Sequence, residues 1–190
     1  MPLLAKEPYL FPPDLFGCEE GAKRSESGNK DSWWALYTLA RNEKTLMRKL
    51  YAHERRFYCP IVAKRHRVGR GSVRTSYLPL FSSYVFLQGD EQDRYEAVCT
   101  GLVSRCLPIN DRERFVQQMR SIQLMIESGL PIELEPGLTV GTRVRVKSGP
   151  LKGLPGQILK TRSRSRFIVN VEFLQQGAST LLDDWELEKI

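Results

Sequence analysis

Residues 140–159 read VGTRVRVKSGPLKGLPGQIL and decide the fold of the C-terminal part of the chain. Val144 and Val146 alternate with basic residues, and this period of two buries the valines while the basic side chains stay in water. A loop then leads into a second apolar strand, and it is punctuated by Gly149, Gly153 and Gly156. Glycine reaches positive φ without a Cβ penalty, so this spacing predicts a tight reversal with close backbone approach.

The rest of the C-terminal part also carries only strand signals. The predicted strands cover residues 142–147, 156–161, 167–173 and 179–182. Short strands separated by turn residues are typical of a small β-barrel. We therefore predict a barrel domain over residues 138–190.

The preceding part of the chain alternates strand and helix signals. Strands are predicted at residues 33–39, 58–68 with a return through 73–78, 81–87 and 102–107. Helices are predicted after Asn42, after Asp90 and after Asn110, because each of these residues can cap a helix and helical apolar spacing follows it. The order β-α-β-β-α-β, with a C-terminal helix, predicts a ferredoxin-like α+β sandwich over residues 32–130.

Two further segments lack this periodicity. Residues 1–31 are rich in proline, serine and glycine and predict a flexible N-terminal tail. The tail contains three aromatic residues that either dock on a partner or pack on the neighbouring domain; they are Tyr9, Phe11 and Phe16. Residues 131–137 place two glutamates between prolines and predict a short interdomain linker.

Composition limits the classes of function. The net charge of +7 and the pI near 9.4 favour an anionic partner, although an ordinary basic soluble protein gives the same balance. The four cysteines show no Cys-x-x-Cys pair, so we expect reduced, mostly buried thiols and no metal or other cofactor. With no secretory signal and no long apolar run, the chain is expected to be a cytoplasmic monomer without a membrane role.

The charge is concentrated between Arg55 and Gly89. This stretch contains seven basic residues and no acid. Five of the basic residues fall on the predicted hairpin: Lys64, Arg65, Arg67, Arg70 and Arg74. A run so uniform in sign favours contact with phosphates, and the alternative is a solvated basic loop.

Five groups of residues between Trp33 and Ile190 occur in an order that is typical of one known family. They are Trp33-Trp34 with Glu43 following, Cys59-Pro60, PLFSSYVF at 79–86, GLV at 101–103 and residues 140–156. In that order they resemble the opening Trp-Tyr strand and first-helix acid, the Val-Pro step, L-F-P-G-Y-V-F, G-V-x and the KOW glycine pattern of the NusG family of transcription factors, which join an NGN domain to a KOW domain. The chain departs from the family at Ser82-Ser83, where Pro-Gly is usual, and at residues 173–177, which lack the usual Gly-Arg.

The resemblance implies that the NGN domain binds the clamp helices of the largest RNA polymerase subunit. The candidate anchors are the aromatic side chains of Phe81, Tyr84 and Trp33, with Tyr37 and Phe86 behind them. Aromatic residues at alternate strand positions are also typical of a core, so this alternative stays open. By position, the basic hairpin resembles the family hairpin that lies near upstream or non-template DNA.

For the barrel, the resemblance implies an SH3-like KOW fold that recruits the termination factor Rho or a small-subunit ribosomal protein. Phe173 and Leu174 occupy the expected contact edge, and the glycines serve the turn. The two departures favour a specialised antitermination factor, as RfaH is, over a general elongation factor.

Two other classes of function remain to be compared. A ribosome-associated, RNA-binding KOW protein is the alternative reading of the barrel. Catalysis is not expected, because the only histidines, His53 and His66, have no nucleophile or carboxylate partner in a local motif.

Overall fold

The computed structural model describes residues 7–16, 32–68, 72–137, 141–160, 165–183 and 186–190. The chain divides into two compact units, residues 1–112 and 113–190. Its described part is mixed α+β, with three α-helices and antiparallel sheets. The predicted fold class is therefore confirmed.

The first unit contains a five-stranded antiparallel sheet and a separate two-stranded hairpin. Its elements are β1 (Leu10–Phe11), β2 (Ser32–Thr38), α1 (Glu43–Ala52), β3 (Arg56–Tyr58), β4 (Ile61–Val68), β5 (Ser72–Pro79), β6 (Tyr84–Gly89), α2 (Glu91–Cys99) and β7 (Val103–Ile109). The sheet order is β1-β3-β6-β2-β7, and β4 pairs only with β5 among the described strands. Without the edge strand β1, this is the ferredoxin-like order that the sequence predicts.

The strand predicted at 58–68 is in fact two strands, because the chain breaks at Cys59-Pro60. Proline has no backbone N–H and cannot continue a ladder of hydrogen bonds. The backbone there bonds elsewhere: the Cys59 N–H donates to the Tyr9 carbonyl at 2.7 Å, and the Leu80 N–H donates to the Pro60 carbonyl at 2.7 Å. As a result β3 stays in the main sheet, whereas β4 leaves it to form the hairpin.

The core of the first unit lies between the sheet and its two helices. Residues from β2, β6, α1 and α2 meet there; among them are Leu36, Val85, Leu46, Leu50 and Ala97. Helix α2 begins with a capping box, in which Asp90 accepts from the Asp93 N–H at 2.9 Å and Asp93 accepts from the Asp90 N–H at 3.1 Å. Helix α1 begins after Asn42, whose side chain instead donates to the Ala40 carbonyl.

The N-terminal segment 7–16 is part of the fold, so the prediction of a flexible tail is wrong for these residues. β1 adds to β3 at the edge of the sheet. Phe11 packs on the helix side, edge-on to Tyr51 at 5.3 Å. Phe16 is buried, stacking on Trp33 at 5.9 Å and meeting Tyr58 edge-on at 4.9 Å.

Trp33 alternates with the core residues of β2, and its ring therefore lies on the sheet face opposite the helices. The segment thus passes around the sheet edge and contacts both faces. Of the two alternatives for the tail aromatics, packing on the neighbouring domain is confirmed for Phe11 and Phe16. Residues 17–31 lie outside the described residues.

The second unit is β-rich and begins near the start of helix α3. Its elements are α3 (Arg112–Glu127), β8 (Glu133–Pro136), β9 (Thr142–Val146), β10 (Pro155–Lys160), β11 (Ser165–Val171), a 3-10 turn (Glu172–Leu174), β12 (Gln176–Leu182) and β13 (Leu187–Lys189). The six strands form one antiparallel sheet in the order β13-β9-β10-β11-β12-β8. The four predicted strands are confirmed, and Val144 and Val146 are buried as the alternation indicates. β8 and β13 carry no clear strand signal.

Residues 131–137 are not a free linker in the structure. β8 pairs with β12, and the Thr180 hydroxyl donates to the Pro131 carbonyl at 2.8 Å. Arg166 binds Glu135 at 2.6 Å and Glu133 at 3.1 Å. Helix α3, which precedes this segment in the sequence, is also hydrogen-bonded to the second unit: the Gln118 side chain accepts from the Glu172 N–H at 3.2 Å. These bonds connect α3 and residues 131–137 to the sheet of the second unit.

The attachment of β8 predicts a pH dependence. The pKa of Glu135 lies below its ordinary value, first because the Ser179 hydroxyl donates to the carboxylate at 2.6 Å and then because of Arg166. A carboxyl whose folded pKa is lowered stabilises the fold above its unfolded pKa, and this contribution is lost as the pH falls through the folded value. For Glu135 the loss begins below about pH 4.5, its ordinary value.

We expect Ser179→Ala to lower the stability of the second unit at pH 7 and to make its further decline below pH 4.5 shallower than in the wild type. Hydrogen exchange of β8 and β12 amides, measured at several pH values, checks this. Ser121→Ala is the matched control, because the Ser121 hydroxyl donates to a helix carbonyl, that of Gln117. An equally steep decline in Ser179→Ala and in the control would contradict the prediction.

The described cysteines are free thiols: Cys59, Cys99 and Cys106. Cys59 is buried as expected, and burial, with Glu43 adding to it, raises the pKa of its thiol. Cys99 is exposed, so the expectation of mostly buried cysteines is only partly confirmed. Among the described helices, none is long and apolar enough to cross a membrane.

Candidate nucleic-acid interface

The basic residues lie on the hairpin formed by β4 and β5. Its register pairs Ile61 with Pro79 at the base and Val68 with Ser72 at the far end. Eight consecutive pairs connect the two strands. Arg70, one of the five predicted phosphate-binding residues, lies outside the described residues.

The four described cations occupy both faces of the hairpin. Side chains alternate along a strand, and residues directly opposite one another share a face. Arg65 and Arg67 are two apart and therefore share one face. Arg74 lies opposite His66, which is two residues from Lys64, so Lys64 and Arg74 share the other face.

These four side chains are exposed and available to a ligand. Among the residues that the structure describes, none of the four forms an ion pair. Arg55 differs from these four residues, because it forms ion pairs with Asp93 at 2.7 Å and with Glu96 at 2.6 Å. Its charge is therefore neutralised within the fold. The hairpin thus carries unneutralised positive charge, as an anion-binding element does.

The five candidate aromatic anchors have different positions. Trp33, Phe81 and Phe86 are buried. The burial of Trp33 and Phe81 contradicts the expectation that their rings are anchors, and Phe86, which was expected behind the anchors, is buried as well. Trp33 and Phe86 lie on β2 and β6, where both faces of the sheet contribute to the core, and Phe81 precedes β6. Only Tyr37 and Tyr84 present ring surface, with Tyr37 38% exposed.

Tyr37 and Tyr84 form a pair on the sheet face opposite the helices. They are directly opposite across β2 and β6, and their rings meet edge-on with centroids 5.2 Å apart. Arg105, opposite Tyr37 on β7, and Leu107, two residues on, share this face and are exposed. We call these four residues the aromatic patch.

Sequence reasoning missed Arg105 and Leu107. The signal that could have found them is the period of two along β7, once β7 is placed beside β2. The four residues of the aromatic patch are neighbours and present surface on a sheet face that is otherwise buried. Such a surface is typical of an interaction site.

The Ser82-Ser83 step is held in place by hydrogen bonds. Ser83 adopts a φ of +65°, the left-handed region in which glycine carries no penalty. The buried Glu43 carboxylate accepts from the Ser83 N–H at 2.7 Å, and the Ser83 carbonyl accepts from the Thr38 N–H at 2.8 Å. The turn that precedes Tyr84 is therefore fixed to both α1 and β2 although glycine is absent.

The candidate contact edge of the second unit lies at the 3-10 turn. Phe173 and Leu174 are both half-buried there. The glycines have different positions: Gly149 and Gly153 take positive φ values of +81° and +87° in the turn after β9, whereas Gly156 lies within β10. The described residues contain no group of three or more His, Cys, Asp or Glu placed to hold a metal ion.

The chain matches a protein-family model. The model of the NusG family, described as transcription termination factor nusG, covers residues 31–128, more than half of the 190-residue chain. No curated protein matches the chain significantly. The match spans β2 through α3 and includes the basic hairpin and the aromatic patch. The chain therefore belongs to the NusG family of transcription elongation and termination factors.

Proposed function

We propose that this protein is a transcription elongation factor that binds RNA polymerase through an NGN domain at residues 32–130. The family match over residues 31–128 is the observation that carries the proposal. The aromatic patch is the polymerase-binding surface, and its partner is the helical hairpin of the clamp. The basic hairpin contacts upstream or non-template DNA.

The aromatic patch suits a projecting helical hairpin. Interfaces obtain most of their binding energy from a few anchors, among which Tyr and Arg are enriched. Tyr37 and Tyr84 brace each other through their edge-on contact, so little side-chain entropy is lost on binding. Glu43 holds the turn before Tyr84 and thereby positions the anchor.

The polymerase-binding surface can be tested with Tyr37→Ala and Tyr84→Ala. Each is expected to weaken binding to an elongation complex by about 30-fold, because truncation of an anchoring aromatic costs about 2 kcal/mol. Tyr95→Ala is the matched control, since Tyr95 is 60% exposed and lies on α2, away from the patch. Binding is measured by fluorescence anisotropy of labelled protein, and equal affinities for all three variants and the wild type would refute this surface.

The part of the second unit after α3 is proposed to act as a KOW domain, with residues 138–190 as its predicted extent. Its partner is Rho or a small-subunit ribosomal protein, contacted near Phe173 and Leu174. Pull-down of each purified candidate by the full chain and by a Leu174→Ala variant tests this. Cosedimentation of the protein with ribosomal subunits rather than with polymerase would instead support the RNA-binding alternative.

The departures at Ser82-Ser83 and at residues 173–177 favour a specialised antitermination factor over a general one. A specialised factor associates with selected transcription units, whereas a general factor follows polymerase on most genes. Occupancy across genes distinguishes the two, and uniform association would contradict the specialised role.

A further inference from the structure

We propose that the basic hairpin lies in the major groove of duplex DNA and contacts the phosphates of both groove walls through the described cations of its two faces. This inference rests on the proposed function and specifies the form of DNA that the hairpin takes. It starts from the placement of charge on two faces. Arg65 and Arg67 lie on one face, and Lys64 and Arg74 lie on the other.

A hairpin lying flat on one DNA strand would use the cations of only one face. The other pair would then point away from the phosphates, where exposed charge adds little. A hairpin between two phosphate walls uses both pairs. Because the cations of both pairs are exposed, both faces of the hairpin are open beyond its buried base at Ile61 and Val62.

The dimensions of the hairpin fit this placement. Packed sheets lie about 10 Å apart face to face, which approximates the thickness of a ribbon with its side chains. The major groove is about 12 Å wide and admits a two-stranded ribbon, whereas the minor groove is about 6 Å wide. The four cations are all exposed and can therefore reach outward to either wall.

The hairpin is poorly suited to a single strand. Proteins that bind single-stranded DNA stack its bases on aromatic side chains. Residues 61–79 contain one Tyr, Phe or Trp, which is Tyr77, and this ring packs against the core of the first unit. The exposed neighbours of the cations are instead Val73, Leu78 and Ala63, which give no stacking surface.

The test measures binding of the full chain to a 20-base-pair duplex and to one of its single strands over a range of salt concentrations. Two double variants each remove one face: Arg65→Gln/Arg67→Gln and Lys64→Gln/Arg74→Gln. On the duplex, each is expected to reduce the magnitude of the slope of log K against log salt by about 1.8, because each phosphate contact contributes about 0.9. Lys152→Gln/Lys189→Gln removes the same charge from exposed positions of the second unit and is expected to leave the slope unchanged.

A second measurement identifies the groove. Dimethyl sulfate methylates N7 of guanine in the major groove, and the wild-type chain is expected to protect it whereas both double variants lose protection. An unchanged thermal transition shows that each variant is folded.

The outcomes separate this inference from the proposed function. If only one double variant changes the slope, or if the single strand binds more tightly than the duplex, groove entry is refuted while the DNA contact stands. If guanine N7 stays reactive, groove entry is refuted as well. If neither variant affects either DNA, the DNA contact in the proposed function fails too.

Discussion

Replacement of Gly156 by alanine is expected to destabilise the second unit by about 3 kcal/mol, the upper part of the range for overpacked cores. A Cβ at this position would lie 2.5 Å from the Phe167 ring and 2.8 Å from the Ile168 carbonyl oxygen. Phe167 is completely buried, and Ile168 is paired to β10 in the ladder. Neither atom can move without disturbing β11, so the substitution has to displace a central strand.

Gly153→Ala provides the control for this prediction. Gly153 has a φ of +87°, but a Cβ there would meet no atom within 4 Å. Its substitution carries only the local backbone penalty of about 1–2 kcal/mol. Hydrogen exchange of β10 and β11 amides measures the difference, because it resolves each unit separately. Equal protection in the two variants would show that the contact with Phe167 relaxes easily.

Phe16→Ala is expected to destabilise the first unit by about 3–5 kcal/mol, the usual range for removal of a buried phenylalanine. Phe16 is only 6% exposed, and its ring contacts both Trp33 and Tyr58. Its loss leaves a cavity on the face of the sheet opposite the helices. The effect should reach the sheet strands, since Trp33 belongs to β2 and Tyr58 to β3.

The measurement is the urea concentration at which amides of β2 and β3 lose their protection. Asp14→Ala is the matched control, because Asp14 is an exposed residue of the same segment. If Phe16→Ala unfolds at the same urea concentration as this control, the packing of Phe16 does not contribute to the stability of the first unit, and the prediction is wrong.

Local patterns were sufficient to predict most of the fold. The alternation at Val144 and Val146 and the cap at Asp90 both depend on neighbours in the sequence, and both are confirmed. The return of the chain from residues 58–68 to 73–78 was predicted from the same kind of evidence, whereas the departure of the hairpin from the main sheet at Pro60 was not predicted. The positive charge of this hairpin could also be predicted from the sequence, since the hairpin contains no acidic residue.

Features that depend on distant partners could not be predicted. The sequence Glu-Leu-Glu-Pro at 133–136 has little strand propensity and becomes β8 only because β12 and Arg166 bind it. Phe16 acquires its partners from positions 17 and 42 residues along the chain. In the candidate site, the alternating pattern places Trp33 and Tyr37 on the same face of β2 but does not say how far along the strand that face is covered. Phe16 packs on Trp33, whereas Tyr37 is exposed, and this difference depends on a segment that is distant in the sequence.

The pairing of β8 has a practical consequence for dissection of the protein. A fragment that starts at residue 138 lacks β8 and leaves one side of β12 without hydrogen-bond partners along Gln176–Ser179. Such an unprotected strand edge is a template for intermolecular pairing and hence for aggregation. A fragment that starts at residue 113 keeps β8 and most of α3. Expression of the second unit should accordingly begin there.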